Sequence, residues 1–190
     1  MEEKKTFSGR SAVLNACFTA LGAALLAVCA WITIPVGEIP VTLQTFGVFV
    51  VAALLGAKRG ALAVAVYLLL GAVGAPVFSG FRGGFASLAG VTGGYLIGFL
   101  PAAWLVGFAA DRWGRKLPVL AAAMAVGLLV DYAFGSAWFM VVYLRGTGSI
   151  TLWAVLGKCV IPFLIPDAVK LALAALLVRA LPKGGVPDAF

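Results

Sequence analysis

The chain has 190 residues, 63% of them hydrophobic and only 11% charged, with a mean hydropathy of +1.11 and a formal net charge of +7. A soluble domain is roughly half apolar and about a quarter charged, so this composition cannot cover a water-facing surface and reads as a polytopic membrane chain. With no histidine, histidine-based metal sites and Ser-His triads are excluded; with no G-x-x-x-x-G-K-[ST] run, so is ATP hydrolysis on a phosphate loop of its own.

A bilayer core about 30 Å thick takes roughly 20 apolar residues as helix. Spans are predicted near 12–34, 41–56, 60–76, 91–110, 117–143 and 152–181, an all-α bundle of six transmembrane helices in a single domain over 1–190. The first span follows a short charged segment, as a signal peptide does, but its apolar run exceeds a cleaved h-region and is expected to stay as an anchor. Ala12, Ala16, Ala20 and Ala24 form a small-xxx-small ladder on one face of it, suited to close approach by another helix of the bundle or of another protein. Cys17, Cys29 and Cys159 lie in apolar runs and are expected to pack as small hydrophobes.

Between the first two spans runs PVGEIPVTLQTF (Pro35 to Phe46), with a lone Glu38 and the polar pair Thr42 and Gln44. The second and third spans are short and separated by Ala57-Lys58-Arg59, a basic turn. Next comes GAPVFSGFRGGFASLAGVTGGY (Gly74 to Tyr95), long, glycine-rich and carrying Arg82. A loop so apolar should fold back over the bundle, and at membrane depth it is tolerated only when protein buries it or a cavity faces it, which predicts a lid over an outward-facing pocket. Gly90, Gly94 and Gly98 make a second small-residue ladder, expected to serve internal packing. Trp31, Tyr95, Trp138 and Tyr143 lie near the outer ends of spans, as interfacial belt residues or as rings to stack on a ligand.

Two spans carry charge at depth. Asp131 lies fifteen residues from Lys116, about 22 Å along a helix. In PFLIPDAVKLAL (Pro162 to Leu173), Lys170 and Asp167 lie nine and twelve residues from Arg179, roughly 13 and 18 Å in. Their i, i+3 spacing puts them on one helical face, close enough to pair. Ionisable residues inside a membrane face the bundle interior and mark a substrate or ion path, the alternative being an ion pair that pins helices. For Asp131 the alternative is private satisfaction by Tyr132 and Trp138. Pro162 and Pro166 free backbone carbonyls beside the carboxylate, a broken-helix feature of transporter sites.

Basic residues orient the bundle. Alternate loops place Lys4, Lys5, Arg10, Lys58, Arg59, Arg112, Arg115, Lys116, Arg179 and Lys183 on one side, against Arg82, Arg145 and Lys158 on the other. This positive-inside asymmetry predicts both termini in the cytoplasm of a multi-pass cell-membrane protein, and it accounts for the net charge without a nucleic-acid partner.

Four runs, IPVTLQTF, YLLLGAVGAPVFSGFRGG, GVTGGYLIGF and IPFLIPDAVK, occur in an order that resembles the BioY family, the biotin-binding S components of energy-coupling factor (ECF) transporters. The resemblance runs from about Leu14 to Leu181; Val91 stands where the family pattern GPTGGY has proline, and Ile165-Pro166-Asp167 where PGDxxK is usual. It implies a six-helix fold that captures the vitamin from outside, with Asp167 and Lys170 at the acidic and basic positions needed for biotin. It also implies that the alanine ladder docks on a transmembrane T component coupled to two ATPase subunits. Biotin offers ureido N–H donors, a ureido oxygen and a carboxylate. Asp167 is suited to the N–H and Lys170 to the oxygen, with Arg82 meeting the carboxylate; the exchange of Lys170 and Arg82 stays open. Trp31, Tyr95 and Trp138 would cover the rings, with Thr42, Gln44 and Asp131 as further polar candidates. No metal or cofactor is expected, nor an enzymatic activity, since no nucleophile motif accompanies the bases. The alternative transport reading is a solitary secondary transporter driven by an ion gradient.

Overall fold

The structure, a computed structural model, describes residues 2–35, 39–147 and 150–181, and of residues 2–11, 146 and 147 the backbone alone. Glu38 and Lys183 lie outside the described residues, as do the side chains of Lys4, Lys5 and Arg10. The described chain is a bundle of long helices: α1 (Glu2–Trp31), α2 (Gln44–Ala72), the short α3 (Phe85–Ala89), α4 (Gly93–Trp113), α5 (Leu117–Thr147), α6 (Leu152–Cys159) and α7 (Leu164–Ala180). Two-residue strands, β1 (Thr33–Ile34) and β2 (Val41–Thr42), pair antiparallel and tie the end of α1 to the start of α2. Five stretches, Ala12–Trp31, Gln44–Ala72, Gly93–Trp113, Leu117–Arg145 and Leu152–Ala180, are long and apolar enough to cross a membrane. Large side chains such as Leu21, Leu129 and Ile165 point outward, as a lipid-facing surface requires.

α2 is continuous in name only. Gly56 has φ 81° and ψ 179°, a backbone region closed to residues with a side chain. The chain reverses there. Gln44 and Tyr67, 23 residues apart and about 34 Å apart on a straight helix, are hydrogen-bonded at 2.6 Å. The predicted pair 41–56 and 60–76 is therefore a helical hairpin inside this element, with Ala57-Lys58-Arg59 in its turn. Asp111 of α4 accepts from the Ala57 N–H at 2.8 Å, and Arg115 donates to the Leu54 carbonyl at 2.8 Å, which clamps the turn against the far end of α4.

The predicted last span, 152–181, is broken. α6 stops at Cys159, a 3₁₀ turn holds Ile161–Phe163 including Pro162, and α7 begins at Leu164. Pro166 breaks nothing: it lies in the first turn of α7, where N–H groups lack intrahelical partners anyway.

Packing is centred on α2, which lies against α1, α4 and α7, while α4 lies against α5. Gly94 and Gly98 let α4 approach α5: a β-carbon on Gly94 would collide with that of Trp138, and one on Gly98 would lie 2.6 Å from Asp131 Oδ1. While Gly90 lies before α4, at the end of α3, that ladder serves internal packing at Gly94 and Gly98. The other does not: Ala12, Ala16, Ala20 and Ala24 are all exposed along α1. The cysteines are free thiols, Cys29 and Cys159 buried and Cys17 exposed.

Candidate substrate-binding cavity

Buried polarity is concentrated at one place. Of the buried polar or charged side chains described (Thr19, Gln44, Thr45, Arg59, Asp131, Asp167 and Lys170), all but Thr19 and Arg59 line a single cavity of about 700 Å³. That volume falls in the range of small-molecule sites, roughly 300–1,000 Å³. The cavity lies at the end of the bundle lined by residues of the α1–α2 connection and of the segment 73–92, away from the Lys58-Arg59 turn that packs beside Asp111 and Arg115.

Its charged wall comes from α7 and α5. Lys170 Nζ donates to Asp167 Oδ1 at 2.6 Å across one turn, and the Tyr132 hydroxyl donates to Asp167 Oδ2 at 2.6 Å. The break before α7 places Asp167 in the first helical turn, where the helix dipole favours an anion. With both oxygens engaged and only 3% of the residue exposed, Asp167 has the hydrogen-bonded surroundings that a buried carboxylate needs. Tyr132 is a functional candidate that sequence reasoning missed, since nothing local links positions 35 residues apart.

The opposite wall is a relay. Thr42 Oγ1 donates to Gln44 Oε1 at 3.0 Å, and Gln44 Nε2 donates to the buried Tyr67 hydroxyl at 2.6 Å. Thr42 and Gln44 both line the cavity, as does Tyr95, whose hydroxyl donates to the Cys159 carbonyl at 3.1 Å.

The segment after α2 forms the roof. Phe78 and Arg82 pair as an isolated bridge around a turn at Ser79–Phe81, and Phe78, Ser79, Gly80, Arg82, Ala86, Ser87 and Gly90 line the cavity from above. Phe78 is buried, edge-on to Tyr67 at 5.4 Å between centroids, while Phe81 is exposed and stacks on Trp31 at 5.1 Å. The roof is held down from several sides: Trp31 Nε1 donates to the Pro76 carbonyl at 2.9 Å, the hydroxyls of Thr33 and Ser79 lie 3.0 Å apart, and Trp138 Nε1 donates to the Gly90 carbonyl at 2.9 Å. A segment that faces a cavity and is tied to its rim is the arrangement expected of a lid.

Of the residues singled out in the sequence, the cavity brings together Trp31, Thr42, Gln44, Arg82, Tyr95, Asp131, Asp167 and Lys170. Trp138 is a correction. It does not line the cavity, because glycines at 93 and 94 admit its indole against the start of α4, where it anchors the roof from behind. The private satisfaction of Asp131 by Tyr132 and Trp138 is a second correction: those groups bond to Asp167 and Gly90, and Asp131 Oδ1 has no hydrogen-bond partner among the described residues. Tyr143 is occupied elsewhere, stacked on Phe139 at 5.4 Å with Lys158 Nζ 5.1 Å from its ring centre.

Known proteins with this architecture have a consistent description. The chain is 42% identical over 160 residues to a biotin transporter BioY of Thermotoga maritima, covering 84% of this chain and 90% of the relative. It is 37% identical over 185 residues to a biotin transporter BioY of Rhizobium etli, covering 93% and 95%. The fold superposes on the crystal structure of an S-component for biotin from an ECF-type ABC transporter with a TM-score of 0.82 at 28% identity, covering 93% of this chain and 95% of that one. The BioY family profile matches residues 2–185. Profile, relatives and fold agree over nearly the full length, and the chain belongs to the BioY family.

Proposed function

We propose that this protein captures biotin from outside the cell, as the substrate-specific S component of an ATP-driven ECF transporter in the plasma membrane. One observation carries the reading: in a BioY-family chain, most of the buried polar side chains described converge on one roofed cavity that holds the Asp167–Lys170 pair. Lys170 is placed to donate to the ureido oxygen, and Arg82 of the roof to meet the valerate carboxylate. The aromatic and apolar lining, with Trp31, Tyr95, Phe78 and Phe163, suits the bicyclic body.

The hairpin in α2 supports six crossings, and the basic residues Lys58, Arg59, Arg112, Arg115 and Lys116 at the end away from the cavity support an orientation with both termini cytoplasmic. The exposed ladder Ala12, Ala16, Ala20 and Ala24 is the proposed docking face for the transmembrane T component, which in turn engages two ATPase subunits. The absence of a phosphate-loop motif in this chain fits that division of labour.

Isothermal titration of the purified protein with biotin, and separately with riboflavin and thiamine, tests the substrate. Saturable binding of biotin alone is expected; binding of either other vitamin in preference to biotin would overturn the reading.

A further inference from the structure

Among the described residues the cavity holds two carboxyl groups, and their surroundings differ. Asp167 has Oδ1 on Lys170 and Oδ2 on Tyr132. Asp131 of α5 is just as deeply buried, at 3% exposure, and lines the same cavity, yet its Oδ1 meets no donor among the described residues. Of the polar side chains nearest to it in sequence, Tyr132 bonds to Asp167 and Trp138 to the Gly90 carbonyl, and the Ser136 hydroxyl does not reach it. Gly98 of α4 keeps the space open, since a β-carbon there would lie 2.6 Å from that oxygen. A buried carboxyl oxygen without a donor is costly, and in a ligand cavity a donor carried by the ligand would satisfy it.

Resting on the biotin reading above, we propose that Asp131 is a specificity-determining residue that accepts a hydrogen bond from a ureido N–H of the ligand. Asp167 already accepts from two protein donors, whereas Oδ1 of Asp131 has none among the described residues. A cyclic urea presents N–H groups on either side of its carbonyl. Lys170 directed at the oxygen and Asp131 at a flanking N–H would together read both polarities of that ring. The sequence assignment of the N–H to Asp167 then passes to Asp131, and Asp167 holds Lys170 and Tyr132 in place.

The test titrates the full-length protein in detergent, wild type and Asp131→Leu, with biotin and with biotin methylated on one or the other ureido nitrogen. Leucine keeps the branching of aspartate at Cγ and removes the acceptor. The wild type is expected to prefer biotin over one of the methylated ligands by at least tenfold. Asp131→Leu is expected to lose at least tenfold in biotin affinity and that preference with it. A variant that binds biotin as the wild type does, or that loses the same factor for all three ligands, would overturn the proposal. Should Asp131→Leu fail to fold, as judged by its thermal unfolding midpoint, Asp131→Ala carries the same comparison. A wild type that binds no biotin would overturn the substrate reading itself, and is told apart by appearing before any variant is made.

Discussion

Lys170 and Asp167 stand one helical turn apart with nitrogen and oxygen 2.6 Å from each other, and the hydroxyl of Tyr132 closes on the other carboxylate oxygen from a different helix. Such a pair is self-consistent only as a unit. Removing one partner strands the other charge in the bundle, which costs about 3–5 kcal/mol, whereas removing both leaves no charge unpaired.

Asp167→Asn and Lys170→Ala are each expected to weaken biotin binding more than tenfold, over about 1.4 kcal/mol. The double variant Asp167→Asn/Lys170→Met should unfold at a higher temperature than Lys170→Ala yet bind no better. Calorimetric titration and thermal unfolding in detergent check the two halves; unchanged affinity in well-folded single variants would remove the pair from the site.

Arg82 lies in the roof and lines the cavity while remaining exposed. Arg82→Ala should therefore cost more affinity for biotin than for biotin amide, whose tail carries no charge. Equal losses for the two ligands would mean that Arg82 shapes the loop and does not contact the tail.

The docking role proposed for the alanine face of α1 is tested by a variant that separates capture from transport. Ala16→Trp/Ala20→Trp fills the groove on a face directed away from the cavity, and α1 stays apolar. Biotin binding to the isolated protein is expected to persist, while ATP-dependent uptake and co-purification of the T component are lost. Normal uptake by the double variant would place the docking face elsewhere.

Gly56→Ala tests the hairpin. Its positive φ and extended ψ are open only to glycine, and an added β-carbon would lie 2.5 Å from Asp111 Oδ1, so a destabilisation of about 1–3 kcal/mol is expected. Wild-type thermal stability of this variant would show that the turn adopts another conformation.

Much of this was legible in the residues because a bilayer leaves few choices. Apolar length marks the spans, the basic run at Ala57-Lys58-Arg59 marks a turn, and the i, i+3 spacing of Asp167 and Lys170 dictates a shared face once helix is assumed. The long apolar loop likewise had to fold back, and its residues do roof the cavity. What stayed hidden depends on distance in sequence. Nothing near Tyr132 announces a bond to a carboxylate on another helix, and nothing near Trp138 shows that glycines at 93 and 94 will draw its indole behind the wall. The prolines misled in part. Pro162 sits in the break, but Pro166 occupies a helical position where its missing N–H costs nothing.

The Trp31 indole has a mechanical consequence. The helix that bears the outward alanine face ends in the side chain that holds the roof, through a hydrogen bond to Pro76 and a stack on Phe81. α1 is therefore a lever with a handle on the lipid side and a latch over the cavity. Under the docking proposed above, a partner helix that tilted or slid α1 would drag on the latch, which would link docking to release without a second ligand or a chemical signal. Trp31→Phe preserves the stack but cuts the hydrogen bond, and it should quicken biotin dissociation, measured by stopped flow, while α1 still docks; an unchanged off-rate would mean that the latch bears no load.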